Sequence, residues 1–360
     1  MSRPAKGGRA PRRRGSCSGA SKVDVRLLEG DCLEVLGTLE AESVDAIITD
    51  PPYGIDFQQE RWDGSAIREA AARAGQDRLT PNEAFEAWSR IWAEECRRVL
   101  KPGGFLAAFG SPRTFHRLAC GIEDGGLEIR DTLMWLYAEG MSKSRRYPGG
   151  RATTLKPAFE PIVLARRELA GTTEQTIERY GTGALMVESC RVEGRHPANV
   201  LLGHDPDCEE GCAPDCAVAA ADACVGEGRS RLAPSRFLYC PKASRAERDA
   251  GCERLPRRAL DLFPNAGTSG DARNFHPTVK PLALMRWLVR LLCPPGGVVL
   301  DPTTGSGSTG AAAVLEGRRF VGIELEPAYI EIAAARIAHH SPNDNRKPKV
   351  CRSGPLGRRR

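Results

Sequence analysis

The stretch IITDPPYGIDF, residues 47–57, decides the fold prediction for this chain. It begins within VDAIITD (44–50), whose apolar and β-branched residues are typical of a buried strand. No helix can continue through the two consecutive prolines that follow, and the residue before a proline is held in an extended conformation. We therefore predict a buried strand that ends in a rigid turn, with the Asp50 carboxylate beside the Tyr53 ring.

Strands and helices alternate on both sides of this turn. Upstream, VDVRLLEGD (23–31) predicts a strand, and downstream a helix over 81–104 is followed by the strand FLAAFG (105–110). The same alternation returns near the C-terminus, over 276–340. Strands that alternate with helices imply an α/β fold with a mostly parallel sheet and helices on both faces.

A second turn lies in VVLDPTTGSGSTG (298–310), where a predicted strand ends at Asp301 and two glycines open a helix. Small residues let the backbone approach a ligand closely, and a helix N-terminus favours a negative group. About twenty residues later the next strand ends at Glu324, whose carboxylate can accept both hydroxyls of a ribose. The spacing differs from the dinucleotide fingerprint, and no Walker lysine follows, so the pattern predicts a nucleoside site.

The two turns together resemble a known family. Asp-Pro-Pro-Tyr followed by Asp-Pro-x-x-Gly-Ser-Gly is similar to the DNA amino-methyltransferases that use S-adenosylmethionine, and the order of the two motifs resembles the β group of these enzymes. HPTVKP (276–281) resembles that group as well. The resemblance implies a Rossmann-like methyltransferase sheet with a circularly permuted motif order and an irregular inserted recognition module.

The resemblance also implies a role for each matching residue. Asp50 and the Pro51 carbonyl would accept hydrogen bonds from the amine of the target base, Pro52 would stiffen the turn, and Tyr53 would stack on the base. The residues expected to bind the cofactor are Asp31 near the adenine, Glu324 at the ribose, Thr278 and Lys280 at the methionine carboxylate, and Asp301, Thr304, Gly305 and Gly307 along the Gly-rich turn. No catalytic metal is implied. Thr303 departs from the family, which usually has Phe there.

The expected reaction is methyl transfer to an exocyclic amine of a flipped base in double-stranded DNA. Asp rather than Ser at the first position of Asp-Pro-Pro-Tyr resembles the adenine N6 enzymes, so we expect adenine. Cytosine N4 methylation and a catalytically silent DNA-binding relative stay open as alternatives. Carbon-5 methylation is disfavoured because it needs a thiolate nucleophile, usually in a Pro-Cys pair, and the chain has only Cys-Pro at 240–241 and 293–294.

Charge is unevenly distributed along the chain. Residues 1–22 carry seven Lys and Arg and no acid, and residues 341–360 carry seven Lys and Arg and one Asp. The net charge of the whole chain is nevertheless only +6. We predict two disordered basic tails around an acidic body. The body would hold the two catalytic halves, 23–165 and 271–340, and between them a target-recognition insert, 166–270. Candidate DNA contacts of this insert are Arg191, Arg195, Arg229, Arg231, Arg236, Lys242 and Arg245.

The insert also contains a candidate metal site. His204, Cys208, Cys212 and Cys216 lie at four-residue intervals, and four such ligands can hold a structural zinc. Cys224 or Cys240 can replace one of them, and unliganded thiols are the alternative. The chain has no run of about 18 apolar residues, which a membrane-spanning helix would need. We expect a cytoplasmic protein. A homodimer and a restriction endonuclease partner are left open.

Overall fold

The computed structural model describes residues 24–57, 60–75, 79–137, 146–192, 194–202, 238–240, 242–260, 270–341 and 348–352. The helices of these ranges are α1 Cys32–Leu36, α2 Ser65–Arg73, α3 Pro81–Val99, α4 Phe115–Asp124, α5 Thr173–Tyr180, α6 Arg245–Asp249, α7 Leu282–Leu292, α8 Ser308–Leu315 and α9 Pro327–His340. Within the described residues, none of these helices has the length and hydropathy needed to span a bilayer.

The strands that build the central sheet are β1 Val25–Glu29, β2 Val44–Thr49, β3 Leu100–Phe109, β4 Glu128–Leu136, β7 Phe159–Arg166, β8 Val200–Leu202, β9 Leu238–Tyr239, β12 Val298–Asp301, β13 Arg319–Glu324 and β14 Lys349–Arg352. Their order across the sheet is β14-β1-β13-β12-β2-β3-β7-β4-β8-β9. Two small hairpins stand apart from it, β5 Arg146–Tyr147 with β6 Arg151–Ala152, and β10 Arg258–Leu260 with β11 Gly270–Ala272.

Most neighbours in the central sheet are parallel, and β7 alone runs antiparallel to both of its neighbours, β3 and β4. Parallel neighbours require crossover connections, and helices supply them between β2 and β3 and between β12 and β13. The predicted α/β fold with a mostly parallel sheet is therefore confirmed.

Helices cover both faces of the sheet, because successive strand residues point to opposite sides. Ile48 belongs to the apolar cluster beneath α7, α8 and α9, while its neighbour Ile47 belongs to the cluster beneath α3 and α4. A strand that buries both faces is continuously apolar rather than alternating. This explains the run of buried residues over all of β2.

The sheet reverses its winding between β2 and β12. The chain leaves β2 through α2 and α3 to reach β3 on one side, and it leaves β12 through α8 to reach β13 on the other. At such a switch point two loops diverge at the carboxyl ends of adjacent strands and leave a crevice for a ligand. Both motifs singled out from the sequence lie here.

Two segments differ from the sequence predictions. The tail over 341–360 is not wholly without structure, since Lys349–Arg352 pairs in parallel with β1. Strand β1 would otherwise be the sheet edge, and its unpaired backbone groups can accept another strand. Within the predicted insert, β8 and β9 extend the central sheet rather than forming a separate unit. The proposed boundaries of the insert, and its role in reading DNA, stay predictions.

Candidate active site

The two motif turns are neighbours at one edge of the sheet. Strands β2 and β12 pair in parallel through Ala46–Val299 and Ile47–Leu300, so their carboxyl ends lie side by side. Just beyond, the hydroxyls of Thr49 and Thr303 are 2.6 Å apart. The Asp-Pro-Pro-Tyr turn and the Gly-rich turn therefore meet in the crevice at the switch point.

Asp50 lies in a cluster of four polar side chains, of which Lys280 is buried and the others are partly buried. We call it the Asp50 cluster: Asp50, Tyr53, Glu160 and Lys280. Lys280 Nζ donates to Asp50 Oδ2 at 2.5 Å, and Tyr53 OH donates to Asp50 Oδ1 at 2.8 Å. Glu160 Oε2 lies 3.3 Å from Lys280 Nζ and accepts from Tyr53 OH at 3.2 Å. Each member thus contacts at least two others.

Burial sets the electrostatics of this cluster. It raises the pKa of the Asp50 carboxyl, and the nearby Lys280 ammonium opposes that shift. Burial lowers the pKa of Lys280, but the Asp50 and Glu160 carboxylates outweigh it, and the net shift is upward. We conclude that Lys280 is a cation held between two carboxylates.

Lys280 contacts Asp50 in the structure. The resemblance implied that Lys280 and Thr278 would reach the cofactor's carboxylate, and for Lys280 this role stays a prediction beside its ion pair with Asp50. The backbone N–H of Thr278 donates to His276 Nδ1 at 3.3 Å, which folds HPTVKP back on itself. A cofactor contact for Thr278 stays a prediction.

Asp63 organises the chain after the Asp-Pro-Pro-Tyr turn, and the sequence did not reveal it. Its Oδ1 accepts the backbone N–H of Tyr53 at 2.5 Å and of Gly54 at 2.7 Å. Its Oδ2 accepts the N–H of Ile55 at 3.1 Å and of Phe57 at 2.8 Å. One carboxylate thereby fixes four donors of the loop. The available signal was a lone Asp before Gly at the end of a polar, irregular segment.

The Gly-rich turn closes against the end of β13. Gly305 N–H donates to Glu324 Oε2 at 2.7 Å, and Glu326 N–H donates to Oε1 at 2.9 Å. A carboxylate has about four lone-pair positions, so Glu324 can still accept the two hydroxyls of a ribose. At the end of the neighbouring strand β1, Asp31 caps α1 by accepting from Leu33 N–H at 2.9 Å. The donor and acceptor set fits a nucleoside with its ribose at Glu324.

Asp301 connects the turn to the helix that follows it. Its Oδ2 accepts from Thr309 Oγ1 at 2.6 Å and its Oδ1 from Thr303 N–H at 3.1 Å. Burial raises the pKa of Asp301 to about 7, although these hydrogen bonds oppose the shift. Thr304 is buried as well, and its hydroxyl donates to the Asp301 carbonyl at 3.0 Å. Asp301 and Thr304 therefore shape the turn.

Gly305 and Gly307 both adopt the left-handed conformation, with φ of 52° and 78°. A Cβ at Gly307 would lie 2.8 Å from the backbone of Ala333 in α9, so this glycine serves helix packing. A Cβ at Gly305 would lie 2.6 Å from Nε2 of His276. The resemblance assigned both glycines to the cofactor, and their local geometry shows that each also permits a close internal contact.

We expect Gly305→Ala to weaken S-adenosylmethionine binding by at least about tenfold, because the new methyl group clashes with the His276 ring in addition to the strain of a positive φ. Isothermal titration calorimetry would measure this. The matched control is Gly317→Ala, since Gly317 has φ of 69° but open space at its Cβ position. Equal cofactor affinity in the two variants would contradict the prediction.

Two further supports of the turn were missed in the sequence. Arg336 of α9 is fully buried and donates to the Ser306 carbonyl at 2.8 Å and to the Ser308 hydroxyl at 3.0 Å. His276 packs edge-on against Tyr329, with ring centroids 4.6 Å apart. The signal for Arg336 was a single Arg on the apolar face of a helix.

The remaining candidates fall mostly outside the described residues. These are His204, Cys208, Cys212, Cys216 and Cys224 of the zinc hypothesis, and Arg229, Arg231 and Arg236 of the DNA-contact hypothesis. Cys240 is buried, and the described part of the chain contains no cluster of three side chains able to hold a metal ion. Arg191 is paired with Glu188 at 2.7 Å, and its predicted DNA contact stays a prediction.

A family model and two known relatives that match this chain all indicate a methyltransferase. The family model described as DNA methylase, which covers N6 and N4 methyltransferases, matches residues 44–335. DNA adenine methyltransferase YhdJ of Escherichia coli K12 is 26% identical over 338 residues, covering 92% of this chain and 90% of the relative. The type II methyltransferase M.HinfI of Haemophilus influenzae is 22% identical, covering 89% of this chain and 70% of the relative.

Solved structures share the fold. The PvuII DNA methyltransferase, cytosine-N4-specific, aligns with a TM-score of 0.53 at 17% identity, over 91% of this chain and 90% of its own. The Thermus thermophilus protein TTHA0409 in complex with S-adenosyl-L-methionine aligns with a TM-score of 0.50 at 19% identity, over 92% and 99%. With a family match over most of the chain and a nucleoside crevice beside Asp-Pro-Pro-Tyr, this chain belongs to the N6/N4 DNA methylase family and is a DNA methyltransferase with S-adenosylmethionine as its methyl donor.

Proposed function

We propose that this enzyme methylates the N6 amine of adenine at a specific sequence in double-stranded DNA. The observation that carries the proposal is the position of Asp50, whose carboxylate stands at the end of β2 next to the Gly-rich turn of β12. An Asp at the first position of the motif resembles the adenine enzymes. The relative YhdJ is itself named an adenine methyltransferase.

The chemistry explains why a stiff acidic turn is suitable here. The lone pair of an exocyclic amine is delocalised into the base, so the amine is a poor nucleophile. Acceptors at Asp50 and at the Pro51 carbonyl hold the amine hydrogens so that the lone pair is localised and aimed at the methyl group. The two prolines fix these acceptors before the base arrives, which lowers the entropic cost of alignment.

The target base must leave the duplex to reach Asp50, because its amine is otherwise paired. Flipping costs a few kcal/mol, and stacking on the half-buried Tyr53 ring offsets part of that cost. When bound in the crevice, S-adenosylmethionine supplies an electrophilic methyl group. Asp31, Glu324 and the Gly-rich turn would hold it with this group toward Asp50.

We expect Tyr53→Ala to lower kcat/KM by about 5- to 150-fold, since base–aromatic stacking is worth about 1–3 kcal/mol per base. Tyr53→Phe keeps the ring and loses the hydroxyl contacts with Asp50, Glu160 and Lys280, so its loss of kcat/KM should be smaller. Steady-state transfer of tritiated methyl groups to duplex DNA would measure both. A larger loss in Tyr53→Phe than in Tyr53→Ala would contradict the stacking role.

The base itself is identified by product analysis. Duplex DNA methylated by the purified enzyme is digested to nucleosides and examined by mass spectrometry, and long-read sequencing of the same DNA gives the sequence context. N6-methyladenine is the expected product. N4-methylcytosine would establish the alternative, which the family also includes, and the absence of both would contradict the proposal.

A further inference from the structure

A lysine in contact with the acceptor carboxylate is an electrostatic problem for the proposed reaction. The amine nitrogen attacks the methyl carbon, and the carbon–sulfur bond breaks with its electron pair staying on sulfur. The nitrogen then carries a positive charge until one of its protons passes to Asp50 and on to solvent. Lys280 Nζ lies 2.5 Å from Asp50 Oδ2, so its charge cancels much of the field that Asp50 would offer to that nitrogen.

Lys280 nonetheless stabilises the ionised form of the Asp50 carboxyl. The side chains of Lys280 and Asp50 are 7% and 17% exposed, and a carboxyl so enclosed tends to take up a proton. A paired ammonium keeps it ionised and able to accept a hydrogen bond. The site therefore needs the lysine for ionisation and needs its charge offset for catalysis.

Glu160 meets the second need. It comes from β7, which is separated from β2 by β3 in the sheet, and its side chain is also 17% exposed. Its Oε2 lies 3.3 Å from Lys280 Nζ and accepts from Tyr53 OH. Its Oε1 accepts from Tyr137 OH at 3.3 Å, and the Tyr137 ring in turn carries Lys242 on its face. Two carboxylates and one ammonium give the Asp50 cluster a net charge of one negative unit.

We propose that Glu160 is a positioning residue that neutralises Lys280, so that Asp50 keeps a full negative charge to set against the positive charge developing on the target amine. The inference rests on the proposed function, because it takes Asp50 as the acceptor of that amine. In this proposal Glu160 affects the reaction through the charge of Lys280 and makes no contact with the base.

Rescue by a second substitution tests this assignment. Glu160→Gln leaves a neutral cluster, and we expect kcat to fall by on the order of 100-fold, comparable with the loss of one preorganised electrostatic contact. Adding Lys280→Met removes the unbalanced ammonium, so in assays above the raised pKa of Asp50, where its carboxyl is ionised, the double variant should be about tenfold more active than Glu160→Gln. A residue that only supported the fold would give a double variant no better than the single one, and that result would overturn the proposal.

A binding measurement provides a readout independent of turnover. Sinefungin, a cofactor analogue, carries an ammonium where the cofactor has its methyl sulfonium, whereas S-adenosylhomocysteine is uncharged there. The ratio of their affinities, measured by calorimetry, therefore reports the field at the transfer position. We expect this sinefungin preference to fall about tenfold in Glu160→Gln, to rise in Lys280→Met, and to return toward the wild-type value in the double variant.

Glu168→Gln is the matched control, since Glu168 follows the same strand and pairs with Arg97 outside the crevice. It should leave both kcat and the sinefungin preference unchanged. If Glu160→Gln does not fold, the rise expected in Lys280→Met still decides the matter, and an unchanged preference there would overturn the proposal. A wild-type enzyme that methylates neither base would contradict the proposed function, whereas an active wild type with an unimpaired Glu160→Gln would contradict only this inference.

Discussion

Asp50→Ala is expected to abolish measurable methyl transfer, with a loss on the order of 10³-fold or more. The substitution removes the acceptor that orients the target amine and the negative charge that stabilises the aminium. It also removes one of the two carboxylates paired with Lys280 and leaves an ammonium beside the position of the missing carboxylate. Transfer of tritiated methyl groups to duplex DNA measures the loss.

Cofactor binding separates this effect from misfolding. We propose that Asp50 lies on the target side of the crevice, while the proposed ribose site is at Glu324, which accepts from Gly305 N–H. Calorimetry should therefore show S-adenosylmethionine affinity within a few-fold of wild type. Asp50→Asn, which keeps the shape of the side chain and loses its charge, should also be nearly inactive. Near-wild-type methylation by either variant would refute the assignment of Asp50.

The pH dependence of methyl transfer also tests the role of the ionised Asp50 carboxylate. Burial raises the pKa of Asp50, and only the ionised carboxylate can accept from the amine without competition from its own proton. Activity should therefore be lost as pH falls through this raised pKa, at a higher pH than an exposed Asp would give. The profile of kcat/KM should show this acid limb.

Asp63→Ala is the second substitution with a large expected effect. It leaves the backbone N–H groups of residues 53, 54, 55 and 57 without their acceptor. Unsatisfied buried donors cost about 1–3 kcal/mol each, and water will satisfy the more exposed ones, so we expect a net loss of about 3 kcal/mol. Because Tyr53 belongs to this loop, methylation should also fall by on the order of 100-fold.

Asp56→Asn is the control for this loop. Asp56 is exposed, pairs with Arg68 at 3.4 Å and has φ of 51°, a conformation that Asn also tolerates. Scanning calorimetry should show a clear decrease in Tm for Asp63→Ala and almost none for Asp56→Asn. If both variants melt and methylate like the wild type, Asp63 does not organise the loop.

The sequence alone determined the Asp-Pro-Pro-Tyr turn, the Gly-rich turn and the class of the fold. The two prolines after a mostly apolar strand can form little other than a rigid turn, and the glycines after Asp301 permit the left-handed conformation that the helix start adopts. The alternation of strands and helices required a mostly parallel sheet. These are local constraints of backbone and side-chain chemistry, so they act without contacts from distant parts of the chain.

Only the tertiary structure decided which side chains contact Asp50 and Tyr53. Lys280 is 230 positions from Asp50, and Glu160 is 107 positions from Tyr53, so no periodicity or spacing connects them. They meet because HPTVKP folds over the switch point and because β7 joins the sheet next to β3. Likewise, the tail residues 349–352 form a strand only because β1 leaves an open edge. Sequence patterns report which residues are buried or turned, whereas the long-range pairing of strands decides which charges share one pocket.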